Sequence, residues 1–249
     1  MIYVIHNIFL LKGVDIVFIA TGMGGSIGTG ASPVVAEIAK ELGILTIGVV
    51  THPYIFEGKK RNNFADEGIV KLTKVVDSII VIPNDKLLEL PDEKVTLKTA
   101  FEVANKVMKI AIQGISDLIL KPGLINLDLV DVTNVMKNFK LIMFGYGEAE
   151  GENRAKKAAK KALQSPFFNI RLLDKGKVLL NITADESLGL AEVREIQKMI
   201  ATATGRESKD VQWYVFFDDT IGDNLQVILF ANNFSNGNGS NGGKESAKQ

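Results

Sequence analysis

The segment TGMGGSIGTG, residues 21–30, joins an apolar, β-branched run to a run with helical spacing. Glycine loses more conformational freedom on folding than other residues, so a cluster of glycines indicates close backbone approach or a positive φ. The segment is therefore either a tight structural turn or an anion site, where bare N–H groups at the start of a helix face a phosphate. The residues alone leave both interpretations open.

Two common nucleotide motifs fit this segment poorly. It lacks the Gly-Lys-Ser/Thr ending of a Walker A loop, which excludes the usual P-loop. Gly22, Gly24 and Gly28 approximate the dinucleotide fingerprint, but with one residue too many. That fingerprint also requires an acidic residue near the end of the next strand, where this sequence has Thr51 and His52. An NAD-binding enzyme is therefore the weaker interpretation.

The runs that flank the glycines predict a parallel sheet. DIVFIA (15–20) and ILTIGVV (44–50) are typical of buried strands, and the helix between them begins at Ser32-Pro33 and ends at Gly43. Strand, glycine loop, helix and strand form a βαβ unit, which requires parallel strands. The pattern continues with a helix over 63–75 and a strand over 78–83.

A long helix is predicted from Thr96 to Lys121, ended by Pro122-Gly123. A helix that is apolar on more than one side is expected to lie between two bodies of structure. Its apolar residues form two adjacent stripes: Leu97, Phe101, Ala104, Met108, Ala111, Ile115 and Leu118, and beside them Ala100, Val103, Val107 and Ile110.

The remaining sequence predicts a second α/β region with a mixed sheet. Strands are expected at 140–149 and 177–184, and helices at 153–164 and 190–202. The strands 211–219 and 225–231 are expected to pair around the turn TIGDN. From residue 232 the chain is a polar Asn/Gly/Ser tail, which predicts disorder because it cannot bury a core.

Composition excludes several classes of protein. The 29 basic and 29 acidic residues balance, so no overall field attracts nucleic acid or acidic lipid. There is no cysteine and there are two histidines, which argues against disulfides and zinc sites. The apolar opening, residues 1–20, is interrupted by polar residues, so we expect a cytoplasmic protein without membrane insertion. The lysines Lys156, Lys157, Lys160 and Lys161 indicate an exposed helix face rather than a nucleic-acid site.

Five motifs in register resemble the tubulin/FtsZ GTPase family, in its bacterial cell-division branch. They are the glycine segment, THPYIFEGKKR (51–61), IPNDKLLEL (82–90), AFEVAN (100–105) and the acidic loop GLINLDLVDV (123–132). The resemblance extends from about Lys12 to Ala231. It implies an α/β fold with a partial Rossmann-like GTPase domain (1–95), a central core helix (96–121), a C-terminal α/β domain (122–231) and a disordered tail (232–249).

The resemblance also implies GTP or GDP as ligand, with Mg²⁺ as a further cofactor. Glu57 would accept a hydrogen bond from the ribose, Arg61 would lie near ribose and phosphates, and Asn84 and Asn105 would contact the guanine edge. Phe101 would stack on the base, four residues before Asn105 on one helix face. The phosphates would lie on Gly24, Gly25, Ser26, Ile27, Gly28, Thr29 and Gly30. Without the family, periodicity favours Phe101 as core. Arg61 is then a solvated charge, and Asn84, which follows a proline, is a turn residue.

The acidic loop carries the catalytic residues that the resemblance implies: Asn126, Asp128 and Asp131. In the family they act on the nucleotide of the next subunit, so hydrolysis follows head-to-tail filament formation, and the filament forms the cytokinetic ring at midcell with other division proteins. Their carboxylates would orient the attacking water. The simpler interpretation is structural, with Asp128 as N-cap and Asp131 in the first turn of a helix at about 129–137.

The sequence departs from the family pattern in three places. Ser26 and Ile27 stand where the family has Gly and Thr, which is expected to weaken phosphate binding. The front of the family's nucleotide domain is expected to precede this sequence, and the family's partner-binding terminal peptide is not present in it. The alternative function is therefore a truncated, GTPase-defective copy that docks on or caps filaments of a complete protein, binding GTP weakly by itself.

Overall fold

The computed structural model describes residues 11, 13–89, 96–120, 136–137, 140–169, 177–208 and 211–232. Within these ranges seven strands form one sheet in the order β1-β2-β3-β4-β7-β5-β6. The strands are β1 (Ile16–Gly22), β2 (Leu45–His52), β3 (Ser78–Pro83), β4 (Leu141–Ala149), β5 (Val178–Ala184), β6 (Val211–Phe217) and β7 (Leu225–Asn232). The helices are α1 (Ser26–Glu41), α2 (Lys59–Val75), α3 (Ala100–Leu120), α4 (Arg154–Leu163) and α5 (Leu190–Thr204).

The amino-terminal half is the predicted parallel sheet. β1 pairs with β2 and β2 with β3, all parallel, and β2 is almost wholly buried, as expected for a strand covered on both faces. Helices α1 and α2 pack together over one face of these strands, around a core that includes Met23, Leu72 and Ile79.

Helix α1 begins six residues earlier than the sequence predicts. Its N-cap is Gly25 rather than a residue next to Ser32-Pro33, and Pro33 lies inside the helix. The extended backbone of Gly25 and the hydrogen bond from the Thr29 N–H to the Gly25 carbonyl close the first turn directly after the glycines. The proline stays within the helix although it has no N–H to donate back to the preceding turn. The end of the helix is as predicted, because Gly43 follows it at φ +75°.

Helix α3 lies under both halves of the sheet. Its buried residues pack in one cluster that includes Ile80 and Ile82 of β3 and Phe144 and Phe230 of the second half. The buried positions are Ala100, Val103, Ala104, Val107, Ala111, Gly114, Ile115 and Leu118. The predicted stripes are therefore largely buried, except at the start, where Leu97 is 74% and Phe101 48% exposed.

The second half contains the predicted mixed sheet, but the pairing of its last two strands was predicted wrongly. β7 does not pair with β6; it lies antiparallel between β4 and β5, and β6 pairs in parallel with β5. The physical reason is burial: β7 is buried at nearly every position, which suits a central strand, whereas β6, which is exposed at Gln212 and Phe217, lies at the edge.

The two halves share one sheet through a short contact. β3 and β4 pair in parallel over two positions, Ile79 with Leu141 and Ile80 with Ile142. Lys86 adds a further link, since its Nζ donates to the Pro166 carbonyl at 2.7 Å. In the part of the chain that the structure covers, no helix is both long enough and apolar enough to cross a membrane. The domain limits at 95, 121 and 231 remain predictions, and residues 233–249 lie outside the described ranges.

Candidate functional site

The loops that follow β1, β2 and β3 meet at one edge of the sheet. The strands end in register, Gly22 beside Thr51 and His52 beside Pro83, so the glycine segment and the turns at 53–58 and 84–89 all leave from the same edge. The start of α3 reaches the same place. This carboxyl edge of a parallel sheet is where open α/β proteins bind ligands.

Two glycines of the segment are required by close contacts. Gly24 has φ +93°, and a Cβ on it would lie 2.7 Å from Arg61 Cγ and 2.9 Å from the Arg61 carbonyl oxygen. A Cβ on Gly28 would collide with the Gly22 carbonyl oxygen and Thr21 Oγ1. Glycine therefore lets the loop approach α2 and lets α1 pack directly on β1.

The start of α1 presents unpaired N–H groups. Gly25 caps the helix without a side-chain hydrogen bond, and the first N–H groups of an α-helix have no partner within the helix. The side chains of Ser26 and Ile27 are exposed, and Ile27 is 82% exposed. Thr29 is buried and its Oγ1 accepts a hydrogen bond from the Gly24 N–H at 2.9 Å, which fixes the loop over the helix start. These groups and the positive end of the helix dipole suit an anion.

An acid–base pair lies beside the glycine loop. Glu57 is nearly buried, and its Oε2 accepts from Arg61 Nε at 2.9 Å, one turn apart in sequence. Its Oε1 accepts from the backbone N–H of Tyr54 at 2.8 Å. The carboxylate is therefore held in one orientation. Arg61 is half exposed, and its bond to Glu57 uses only one of the five N–H donors of a guanidinium.

An amide and an aromatic ring complete a cleft of about 170 Å³. Asn84 is 4% exposed, and its Oδ1 has no hydrogen-bond partner among the described atoms. Phe101 lies on the rim, and Asn105 follows it one turn later on α3. The cleft is lined by Gly22, Met23, Thr51, Pro53, Glu57, Arg61, Asn84, Phe101, Ala104, Asn105 and Met108. A buried acceptor without a partner is costly, so Asn84 Oδ1 is suited to a ligand donor.

The structure thus brings five of the residues selected from the sequence, Glu57, Arg61, Asn84, Phe101 and Asn105, around one cleft. Gly24 lines an adjoining concavity on the other side of the Glu57–Arg61 pair, together with Lys59 and Lys60. Gly25, Ser26, Ile27, Gly28, Thr29 and Gly30 form the helix cap and the first turns of α1 beside it.

Sequence reasoning missed Tyr54. This residue is fully buried, and burial, together with the nearby carboxylates of Asp85 and Glu57, raises the pKa of its phenol. Its ring contacts Phe101 edge-on, with 5.8 Å between centroids. A single tyrosine in a loop has no periodicity, so the only available signal was its place three residues before Glu57.

The acidic loop lies outside the described residues, so the roles of Asn126, Asp128 and Asp131 remain predictions. Across the described ranges, no group of three or more His, Asp or Glu side chains is arranged to hold a metal ion. At the cleft itself the one carboxylate, Glu57, is already paired with Arg61 and the Tyr54 N–H.

A cleft at the carboxyl edge of a parallel sheet, beside a glycine-rich helix start, is characteristic of α/β proteins that bind nucleotides. Two family models match the chain: residues 9–92 match the Tubulin/FtsZ family, GTPase domain, and residues 141–235 match the FtsZ family, C-terminal domain. The chain belongs to the Tubulin/FtsZ family.

The relatives share nearly half of their aligned residues with this chain. It is 46% identical over 221 residues to the cell division protein FtsZ of Coxiella burnetii, and 48% identical over 222 residues to that of Buchnera aphidicola. These alignments cover 88% and 89% of this chain but 57% and 58% of those proteins. The chain therefore spans somewhat more than half the length of these relatives.

Solved structures agree with the fold. An FtsZ dimer from M. jannaschii matches with a TM-score of 0.85 and 38% identity, over 92% of this chain and 66% of that one. CetZ1 from Haloferax volcanii, a GDP-bound monomer, matches with a TM-score of 0.70 over 91% of this chain and 67% of that one. At 17% identity, this second match concerns the fold alone.

Proposed function

We propose that this chain binds a guanine nucleotide in the cleft between the glycine segment and α3, and that it takes part in GTP hydrolysis within a filament of the cell-division type. Family membership and the similarity to cell division proteins support the cell-division role. The observation that carries the binding proposal is the buried, unpartnered Oδ1 of Asn84 in a cleft that also exposes an aromatic face.

The phosphates are assigned to the start of α1. Free N–H groups there, at the positive end of the helix dipole, favour a charged ligand. Lys59, Lys60 and Arg61 line the adjoining concavity and add positive charge on the same side. Ser26 and Ile27 leave this backbone accessible because their side chains are exposed.

The ribose is assigned to Glu57. Its carboxylate is held by the Tyr54 N–H and by Arg61, and a carboxylate has lone pairs left for two sugar hydroxyls. Arg61 then lies between ribose and phosphates. This placement agrees with the role that the family resemblance implies for both residues.

The base is assigned to α3 and the turn after β3. Phe101 offers a half-exposed ring for stacking, which is worth about 1–3 kcal/mol per base in nucleic-acid complexes. The N1–H and N2 amino group of guanine are donors, which suit the unpartnered Asn84 Oδ1. Asn105 lies one turn beyond Phe101 and can reach the same edge.

Hydrolysis is assigned to Asn126, Asp128 and Asp131 of a second copy, which would meet the phosphates in a head-to-tail filament and orient the attacking water. Phosphoryl transfer depends mainly on positioning and on charge stabilisation, which two carboxylates and a Mg²⁺ ion held by the nucleotide would supply. The expected location is the cytoplasm, at the division site, with other division proteins as partners.

Calorimetric titration of the whole chain with GDP, GTP and ADP tests the binding proposal. We expect GDP and GTP to bind and ADP to bind at least tenfold more weakly. Asn84→Ala and Phe101→Ala should each weaken GDP binding about tenfold or more, since each removes a contact worth about 1.4 kcal/mol or more. Phe217→Ala is the matched control, because Phe217 is a similarly exposed phenylalanine at the end of the edge strand β6.

The same titration separates the proposal from its alternative. A chain that binds neither GDP nor GTP, but changes the GTPase rate of a complete FtsZ when mixed with it, would support the docking or capping function instead. Simple capping should lower the partner's rate. If the acidic loop acts across the interface, the chain should raise the partner's rate, and Asp131→Ala should abolish that increase.

A further inference from the structure

Tyr54 touches both sides of the candidate nucleotide cleft. Its hydroxyl donates to the Ala100 carbonyl at 2.9 Å, in the first turn of α3, while its backbone N–H donates to Glu57 Oε1 at 2.8 Å. Ala100 precedes Phe101, and Phe101 packs edge-on against the Tyr54 ring. One residue therefore contacts the group assigned to the ribose and the helix turn assigned to the base.

The surroundings of Tyr54 hold it rigidly. Phe56 stacks on its ring with 4.9 Å between centroids, and the Asn62 side chain donates to its carbonyl at 3.1 Å. The next residue, Ile55, donates its N–H to the carboxylate of Asp85 in the turn after β3. The turn is thus fixed to α2, to α3 and to the turn that carries Asn84.

We infer that Tyr54 is a positioning residue: its buried hydroxyl, bonded to Ala100, sets the spacing between the carboxylate of Glu57 and the ring of Phe101. This inference rests on the nucleotide-binding function proposed above. A nucleoside is a rigid ligand, so ribose and base contacts can form together only if the two sides of the cleft keep one distance. The raised pKa of the phenol keeps the hydroxyl protonated, and thus a donor, throughout the physiological range.

Tyr54→Phe removes this hydroxyl and keeps the ring. The readout is the ratio of GDP affinity to 2′,3′-dideoxy-GDP affinity, because that ratio reports how well Glu57 reaches the ribose once the base is bound. We expect the wild-type chain to prefer GDP, and the variant to lose about fivefold of that preference, which corresponds to about one neutral hydrogen bond. A purely structural effect would weaken both ligands equally and leave the ratio unchanged.

Two further variants complete the experiment. Tyr146→Phe is the matched control, since it removes a tyrosine hydroxyl that bonds Glu148 on β4, away from the cleft, and it should leave the ratio unchanged. Phe56→Ala removes the exposed ring that stacks on Tyr54 and should shift the ratio in the same direction as Tyr54→Phe, which keeps the test valid if that variant folds poorly.

Each result of these affinity measurements refutes a different claim. An unchanged ratio in folded Tyr54→Phe and Phe56→Ala overturns the positioning role while nucleotide binding stands. Equal affinities of the wild-type chain for GDP and its dideoxy analogue would refute the ribose role of Glu57, and the inference with it. A wild-type chain that binds no GDP at all refutes the proposed function, and with it the basis of the inference.

Discussion

Gly28 and Gly30 lie two positions apart on α1, but a side chain would meet opposite surroundings at the two sites. A Cβ on Gly28 would collide with the Gly22 carbonyl oxygen and Thr21 Oγ1, whereas a Cβ on Gly30 would have no atom within 4 Å. The first glycine is therefore required for the helix to pack on β1. The second is not required by packing, and as glycine it weakens the helix.

We expect Gly28→Ala to lower the free energy of unfolding by about 1–3 kcal/mol, because β1 and α1 must separate to accommodate the methyl group. Gly30→Ala is the paired control and should raise it by about 0.5–1 kcal/mol through helix propensity. Chemical denaturation of both variants measures the difference. Equal effects of the two substitutions would contradict the close packing of α1 on β1.

The environments of two site residues, Phe101 and Asn84, could not be predicted from the local sequence. Periodicity alone placed Phe101 in the core, because it continues a stripe that is buried further along α3; the structure leaves it half exposed at the cleft. The family resemblance selected Phe101 for its chemistry instead. Asn84 resembled an ordinary turn residue, since its burial and its unpartnered oxygen depend on the tertiary fold. Neither the exposure of Phe101 nor the burial of Asn84 is indicated by the neighbouring sequence.

Helix α4 is anchored to the second half by its first residue. Arg154 is buried and donates to Glu192 at the start of α5 at 2.9 Å, and to Asp223, before β7, at 2.8 Å. It also bonds Asp185 at the end of β5 at 3.3 Å. Three connections between elements thus meet at one guanidinium. The hydrogen bond from Arg154 lowers the pKa of Glu192, and those from Ser187 and then Arg154 lower the pKa of Asp185.

We expect Arg154→Met to lower the free energy of unfolding by about 2–3 kcal/mol, because it leaves neighbouring carboxylates without a cation. Lys156→Met, an exposed lysine on the same helix, should change it by less than about 0.5 kcal/mol. Thermal or urea unfolding distinguishes the two. A loss below about 0.5 kcal/mol in Arg154→Met would mean that the ion network does not anchor α4.

The same network predicts a pH dependence. Because the pKa values of Glu192 and Asp185 are lowered in the folded chain, their contribution is fully present above their ordinary values and is lost as the pH falls through the lowered ones. The unfolding free energy of the wild-type chain should therefore drop below about pH 4.5, and Arg154→Met should show a shallower drop. Parallel pH profiles for the two chains would contradict this assignment.

Elements were predicted well where the local pattern determines them. β3 was predicted over 78–83 and is found there, since polar residues and a proline bound a short apolar run. The pairing of β6 and β7 was predicted wrongly, because a hairpin and a pair of non-adjacent strands have the same local pattern. Which strand lies in the centre is decided by burial on both faces, a property of the assembled sheet.

At the scale of the whole molecule, the described residues form three buried apolar clusters rather than one. One cluster lies entirely within residues 19–79, a second entirely within 143–231, and the third joins both halves around α3. The sheet itself passes between the halves over two residue pairs only. Each half therefore has a core of its own, and α3 is the main body shared between them.

We expect limited proteolysis to leave a resistant fragment that covers residues 141–232, because the second core closes without the amino-terminal strands. Mass spectrometry of the fragments identifies the cuts. Early cleavage within β4, β5 or β7, rather than outside them, would contradict an independent second half.

Lys86→Met should speed release of the fragment, since it removes the hydrogen bond to Pro166 between the halves.

The central claim is that guanine binds against Phe101 and Asn84. The most direct test is NMR of the whole chain carrying labelled phenylalanine, with unlabelled GDP added; the chain has 13 phenylalanines, so single-site substitutions assign the ring signals. We expect nuclear Overhauser contacts from the guanine H8 and ribose H1′ protons to the ring of Phe101, and none to the ring of Phe217. Bound GDP without any contact to Phe101, or with its contacts at another phenylalanine, would contradict the account.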